Sequence, residues 1–139
     1  MLDEELKYLR NRDLYEAYKS GLEKGRFRSM RDAADYVRLQ PAPRYYITAR
    51  TAACYIAKIR AGISLIGFHE LARKRIWRIY DRYNEYVSEH PQCAQNKMEE
   101  VLEIILEEPA PEFYITRETS RKILQEENRA VRNGYGLYR

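Results

Sequence analysis

One sequence element occurs twice in this chain, and its spacing constrains the fold more than any other feature. PAPRYYITART begins at position 41, and PAPEFYITRET begins 68 positions later, at 109. The match extends upstream, because the apolar residues of 30–37 recur in 98–105 at the same offset. Self-similarity of this length indicates an internal repeat. The sequence therefore predicts two copies of one unit, at about 4–60 and about 64–130, packed as a single domain over 1–139.

The first copy has the pattern of three helices. Residues 4–23 place leucine and tyrosine side chains along one face of a helix. Ser29 is the predicted N-cap of a second helix, with Asp32 as its capping-box partner. Pro41 ends that helix, because proline lacks an amide donor and disfavours helical geometry in the preceding residue. Thr48 is then the predicted N-cap of the third helix.

The second copy repeats this logic. A helix of about 20 residues is predicted within 64–88, where apolar residues recur at helical spacing. Asn96 is the predicted N-cap of the next helix, with Glu99 as its capping-box partner, and Pro109 ends it. Thr116 is the predicted N-cap of the last helix.

The expected fold class is all-α, a tandem repeat of a three-helix unit with a proline-rich connector. Pro-Ala-Pro forces an extended turn, and the aromatic residues after it favour burial. The two Tyr-Ile-Thr segments could also pair as a tiny two-stranded β-ribbon. Residues 131–139 show no periodicity and are expected to form a loose tail.

Charge is distributed unevenly along a chain whose net charge is only +4. Residues 11–60 carry eleven basic and five acidic side chains, a net +6, whereas 76–129 carry seven and twelve, a net −5. Such asymmetry is typical of a half that binds a polyanion, or of two faces that attract each other. The chain has no apolar run of about 18 residues, so no membrane partner is expected. The acidic start does not resemble a signal peptide, and Cys54 and Cys93 suit free thiols, so a cytoplasmic location is expected.

A helix, a connector and a second helix form the layout of helix-turn-helix DNA-binding proteins. The basic first copy is therefore the predicted nucleic-acid-binding region. The alternative is a bundle whose basic face is merely solvated. The candidate binding residues are Lys24, Arg26, Arg28, Arg31, Arg44, Arg50, Lys58 and Arg60.

Charge reverses at matched positions of the two copies. The pairs are Arg31/Glu99, Arg44/Glu112, Arg50/Glu118 and Lys58/Glu126. Phosphate would repel the acidic copy, so the two copies cannot bind DNA alike. The acidic copy is then a structural partner of the first. Alternatively, the basic face of one molecule docks on the acidic face of another, which predicts an assembly module that forms a homo-oligomer. Drift of exposed charges after duplication is a third explanation.

The segment RKRIWRIYDRY, 73–83, interleaves basic and aromatic residues. Such a pattern can stack on nucleic-acid bases. However, Ile76, Ile79, Tyr80 and Tyr83 recur at helical spacing, so we expect them in the core.

Catalysis has little support in the sequence. His69 lacks a second histidine four residues on, and His90 and Cys93 lack the further ligands of a structural zinc site. The six glycines form no phosphate-binding loop. We therefore expect a protein that is not an enzyme, with no catalytic residues, no metal and no cofactor.

The element PAPRYYIT, followed by a helix, is similar to a PAPRFY-plus-Ser/Thr motif of short uncharacterised bacterial proteins. The resemblance covers about 20 residues in the first copy and fewer in the second, where Glu112 replaces the arginine. It implies a recurring, helix-turn-helix-like structural connector, and it brings no activity or site residues with it.

Overall fold

The chain folds into α-helices, which confirms the predicted all-α class. The computed structural model describes residues 3–65 and 67–134, and these ranges form no β-sheet. A 3-10 helix, Pro91–Gln95, precedes the fifth α-helix. In chain order the α-helices are α1 (Asp3–Glu23), α2 (Met30–Arg38), α3 (Ala49–Arg60), α4 (Glu70–Glu89), α5 (Met98–Ile105) and α6 (Arg117–Arg132).

Three of the predicted caps are confirmed. The side-chain oxygens of Ser29, Thr48 and Thr116 accept hydrogen bonds from the backbone amide three residues ahead, at 3.1, 3.2 and 3.1 Å. Each bond satisfies an amide that has no partner inside its helix, so these residues set the first turns of α2, α3 and α6. The carboxylate of Asp32 accepts from the amide of Arg28 at 3.1 Å, one residue before the N-cap, instead of from the N-cap itself.

The predicted cap at Asn96 is wrong. The N-cap of α5 is Lys97, which makes no side-chain capping bond. Asn96 instead ends the 3-10 helix, and its amide donates to the carbonyl of Cys93 at 3.0 Å. The 3-10 turn has no counterpart in the first copy, and α5 begins at Met98, which matches Met30, the start of α2, at the offset of 68.

Helix α4 begins later than the start of the predicted 64–88 range. Its N-cap is His69, whose Nδ1 accepts a hydrogen bond from the Leu71 amide at 3.1 Å. Leu65 belongs to the apolar pattern of the predicted range and is buried, but it precedes the helix. The burial of this apolar residue, which lies before the helix, explains why it fitted the pattern of the helical stripe.

At the other end of the chain, α6 extends to Arg132. Positions 131 and 132 are thus helical and do not belong to a loose tail. The rest of that expectation, over 135–139, lies outside the described residues.

The third helix of each half packs against the other half. Helix α6 packs against α2 and α1, whereas α3 packs against α5 and α4. At the first of these contacts, the Ser120 hydroxyl donates to the Ala34 carbonyl at 2.9 Å, with both residues fully buried. Buried side chains from both halves form one hydrophobic cluster, which includes Leu14, Val37, Ile56, Ile79, Leu102 and Leu124.

The two Pro-Ala-Pro elements contact each other through their buried alanines. Ala42 and Ala110 exchange both backbone hydrogen bonds, at 2.9 and 2.8 Å, as a single antiparallel bridge. The pairing therefore lies in the Pro-Ala-Pro segments, and the two Tyr-Ile-Thr segments form no strand. Two further backbone bonds of 3.0 Å join the halves, from Tyr45 to Leu106 and from Phe113 to Arg38.

The core interpretation of 73–83 is confirmed for its aliphatic residues and Tyr83. Ile76, Ile79 and Tyr83 are buried, whereas Trp77 is 47% exposed. Tyr80 is half-buried at the edge of the cluster.

Candidate nucleic-acid interface

Four of the eight predicted binding residues lie in one short exposed segment between α1 and α2. Lys24, Arg26 and Arg28 are in the loop, and Arg31 is in the first turn of α2. All four are exposed, and none of them forms an ion pair with another described residue. We call residues 24–31 the basic loop. Its cations are therefore available to an external anion.

The basic loop is anchored by an aromatic side chain. Phe27 stacks on Tyr18 with ring centroids 5.9 Å apart, and its ring meets Tyr36 edge-on at 5.5 Å. The Arg26 guanidinium lies 5.9 Å from the centre of the Tyr36 ring. Aromatic packing of this kind holds a loop in one conformation. The basic side chains on either side of Phe27 are thereby presented to solvent from a defined position.

A glycine in the last turn of α1 makes room for this anchor. A Cβ atom placed on Gly21 would lie 2.2 Å from Cζ of Phe27, closer than two carbon atoms can approach. Gly25 then turns the chain with a φ of 64°, a left-handed conformation that glycine adopts without strain. Both glycines therefore allow the conformation of the basic loop.

Arg44 and Arg50 have a different environment. They line a groove of about 700 Å³ beside the N-terminus of α3. The same groove is lined by the acidic side chains of Asp3, Glu99, Glu103 and Glu107. A phosphate entering it would meet carboxylates as well as guanidinium groups.

The groove forms where helices of opposite charge pack together. Within α3 there are three basic and no acidic residues, a net +3, and within α5 there are three acidic and no basic residues, a net −3. These helices contact each other in one chain. The charge asymmetry of the sequence is thus partly balanced inside the molecule.

Lys58 and Arg60 lie at the other end of α3, over aromatic rings. The Lys58 ammonium is 5.6 Å from the centres of both the Tyr55 and Phe68 rings. The Arg60 guanidinium is 5.5 Å from the Tyr83 ring. Both residues remain exposed, so the eight predicted residues divide among three places.

The helix-turn-helix arrangement predicted for the first copy needs α3 to act as the reading helix beside α2. In the structure, α2 makes its main contacts with α6 and α1. The exposed basic residues of α6 were not predicted as a binding site, because that half of the chain is acidic overall. They lie on the helix that covers α1 and α2, and they are Arg121, Lys122, Arg129 and Arg132.

The residues with catalytic potential have local structural contacts. His69 caps α4, and the His90 ring stacks on Tyr86 with centroids 4.2 Å apart. Cys54 and Cys93 are free thiols, exposed and half-buried respectively. Within 3–65 and 67–134, no three histidine, cysteine or carboxylate residues converge as a metal site.

Comparisons with protein-family models, with curated proteins and with solved structures found no significant match to this chain. Among the helices described here, none is both long and apolar enough to cross a bilayer.

Proposed function

We propose that this protein binds nucleic acid through the phosphate backbone, without catalysis, and that the basic loop makes the contact. The observation that carries the proposal is the cluster of four exposed cations, Lys24, Arg26, Arg28 and Arg31, that form no ion pair with any described residue. They are held by the packed ring of Phe27. Arginine presents a planar fork of donors that suits phosphate oxygens.

The same contact has a defined salt dependence. Four phosphate contacts on duplex DNA correspond to a slope of log K against log salt of about −3.6. A fourfold rise in salt would then weaken binding roughly a hundredfold. Binding of this kind is not selective for sequence, because phosphate contacts position a protein without reading bases.

Arg44 and Arg50 have a smaller role in this proposal than the sequence suggested. The carboxylates of α5 share their groove and oppose the approach of phosphate. The basic residues of α6 are better placed for a second contact, since α6 packs on both helices that the basic loop joins. A cytoplasmic location remains part of the proposal.

Fluorescence anisotropy with a labelled mixed-sequence duplex tests this function. We expect binding at about 50 mM salt that weakens roughly a hundredfold at about 200 mM. The double variant Arg26→Gln plus Arg28→Gln should lose most of it. Arg44→Gln plus Arg50→Gln removes the same charge and is the matched control, with a small effect expected. No binding at low salt, or equal losses in both variants, would count against the proposal.

We also propose that the chain is a tandem duplication of a three-helix unit. Its support is the constant offset of the two Pro-Ala-Pro elements, together with matching contacts. Helices α1 and α2 are covered by α6, as α4 and α5 are covered by α3. The Thr48 hydroxyl donates to Thr51 at 2.8 Å, and the Thr116 hydroxyl donates to Thr119 at 3.0 Å. In this arrangement the third helix of each copy packs on the first two helices of the other copy, which we call the exchange of third helices. It would follow if the ancestral unit were an intertwined dimer.

Assembly through basic and acidic faces stays a prediction. The basic helix α3 and the acidic helix α5 already contact each other within one chain. Light scattering at several ionic strengths, without nucleic acid, tests the alternative. Oligomers that dissociate as salt rises would support it, and a monomer at every salt concentration would count against it.

A further inference from the structure

A cavity between α3 and the start of α4 contains two arginines. Its volume is about 40 Å³. One water molecule needs roughly 10–15 Å³ on this measure, so the space suits a group of a few non-hydrogen atoms. Arg73 and Arg75 lie on its wall, and both come from the N-terminal part of α4. The rest of the lining is mainly apolar and comprises Ile47, Tyr55, Leu65, Phe68, Ala72 and Ile76.

The two guanidinium groups are incompletely satisfied. The Nε atoms of Arg73 and Arg75 are buried and have no hydrogen-bond partner among the described residues. Arg75 donates one long bond of 3.4 Å, from a terminal nitrogen to the Tyr46 carbonyl. Neither arginine forms an ion pair with a carboxylate in the described part of the chain. Buried donors of this kind are costly unless something accepts from them.

The electrostatic surroundings of Arg75 also indicate a positive charge without a negative partner. Burial lowers the pKa of its guanidinium, and the neighbouring positive charge of Arg10 lowers it further. The nearby groups that oppose this lowering of the pKa are Tyr55 and Tyr114, and neither is a carboxylate. The position therefore holds a positive charge that lacks a negative partner.

We propose that this cavity binds one small oxyanion, a carboxylate or phosphate group, which pairs with Arg73 and Arg75. An oxyanion supplies acceptors for the unpaired Nε–H donors and neutralises the charge on Arg75. The apolar wall accommodates a short aliphatic part, so a small carboxylate fits as well as phosphate. This site is separate from the basic loop and does not depend on nucleic-acid binding.

Calorimetric titration and thermal unfolding of the full chain test the proposal, with acetate, propionate, inorganic phosphate and chloride as probes at matched ionic strength. We expect at least one oxyanion to bind saturably and to raise Tm, and chloride to do neither. Stronger binding of propionate than of phosphate would identify a carboxylate ligand, and the reverse order would identify a phosphate.

Three variants test whether the oxyanion binds in this cavity. Arg75→Met should weaken oxyanion binding about tenfold to a hundredfold, the range for losing a hydrogen bond to a charged group. Arg78→Met, on the same helix but outside the cavity lining, is the matched control and should bind normally. Ala72→Val narrows the cavity while keeping both arginines, and it should also lose oxyanion binding. This variant tests the proposal even if Arg75→Met fails to fold. The absence of any oxyanion effect in the wild type, or an effect that persists in Arg75→Met and Ala72→Val, would overturn the proposal.

Discussion

Tyr46 and Tyr114 hold matching positions in the two Pro-Ala-Pro elements, and each stacks on an aromatic residue of the other element. The Tyr46 ring lies 5.9 Å from Phe113, and the Tyr114 ring lies 6.2 Å from Tyr45. The backbone breaks this symmetry, because Tyr114 has a positive φ of 57°. The hydroxyl contacts differ as well, since the Tyr46 hydroxyl donates to the Asp13 carboxylate at 2.6 Å. The two Pro-Ala-Pro elements therefore share their aromatic stacking and differ in backbone conformation and polar contacts.

Tyr46→Phe should destabilise the protein more than Tyr114→Phe. The first change removes a short hydrogen bond to a carboxylate and leaves Asp13 without that donor, at a cost of about 1.5–3 kcal/mol. Urea unfolding followed by circular dichroism measures both changes. Equal destabilisation would show that the bond to Asp13 contributes little.

Gly21→Ala should destabilise the chain, although glycine-to-alanine changes in helices usually stabilise by up to about 1 kcal/mol. The added methyl group would overlap the ring of Phe27 and displace the basic loop. We expect a lower free energy of unfolding and weaker binding to duplex DNA.

The control for this prediction is the double variant Gly21→Ala plus Phe27→Ala. Once the ring is absent, the alanine at position 21 should cost little, so the two changes should not be additive. Additive effects would contradict the steric explanation.

Stability should fall in acid as the contact between Arg82 and Glu108 is lost. The guanidinium Nε and a terminal nitrogen donate to the two Glu108 oxygens at 2.8 and 3.0 Å. The hydrogen bond from Arg82 holds the pKa of Glu108 below its ordinary value of 4.5. A lowered folded-state pKa means that the contribution is complete above pH 4.5 and is lost as pH falls through the folded-state value.

Glu108→Gln tests this contact by removing the titration. The variant should be less stable at neutral pH by up to about 1 kcal/mol, because the pair is partly exposed. Its free energy of unfolding should also depend less on pH below 4.5 than that of the wild type. Parallel pH profiles for the two proteins would assign the acid sensitivity to other carboxylates.

A fragment of residues 1–63 should not form a stable folded monomer. It contains α1, α2 and α3 but lacks α6, the helix that packs on α1 and α2. The exposed apolar faces should leave it unfolded, or should drive two copies together with α3 in the place of α6. Circular dichroism and light scattering at several concentrations distinguish these states, and a folded monomer would contradict the exchange of third helices.

Local features of the fold were predictable because their causes lie within a few residues of each other. Ser29, Thr48 and Thr116 cap helices through bonds to the third residue ahead, and Pro41 and Pro109 follow the ends of α2 and α5. The predicted cap at Asn96 was wrong because this residue ends a 3-10 turn, which forms from ordinary residues without a recognisable sequence signal.

The candidate site was only half predictable. Lys24, Arg26, Arg28 and Arg31 are neighbours in the chain, so their clustering could be read directly from the sequence. The carboxylates beside Arg44 come from helix α5, from Glu107 just after it and from Asp3, and no local sequence pattern predicts such a contact.

By itself, the sequence determined the helices, most of their ends and the repeated connector, since these follow from backbone sterics and hydrogen bonds between near neighbours. The pairing of the helices could be seen only in the tertiary structure. It placed α6 on α1 and α2, and α3 on α5 and α4. Burial of apolar faces is not directional, so a stripe of apolar residues shows that a helix needs a partner without showing which helix that partner is.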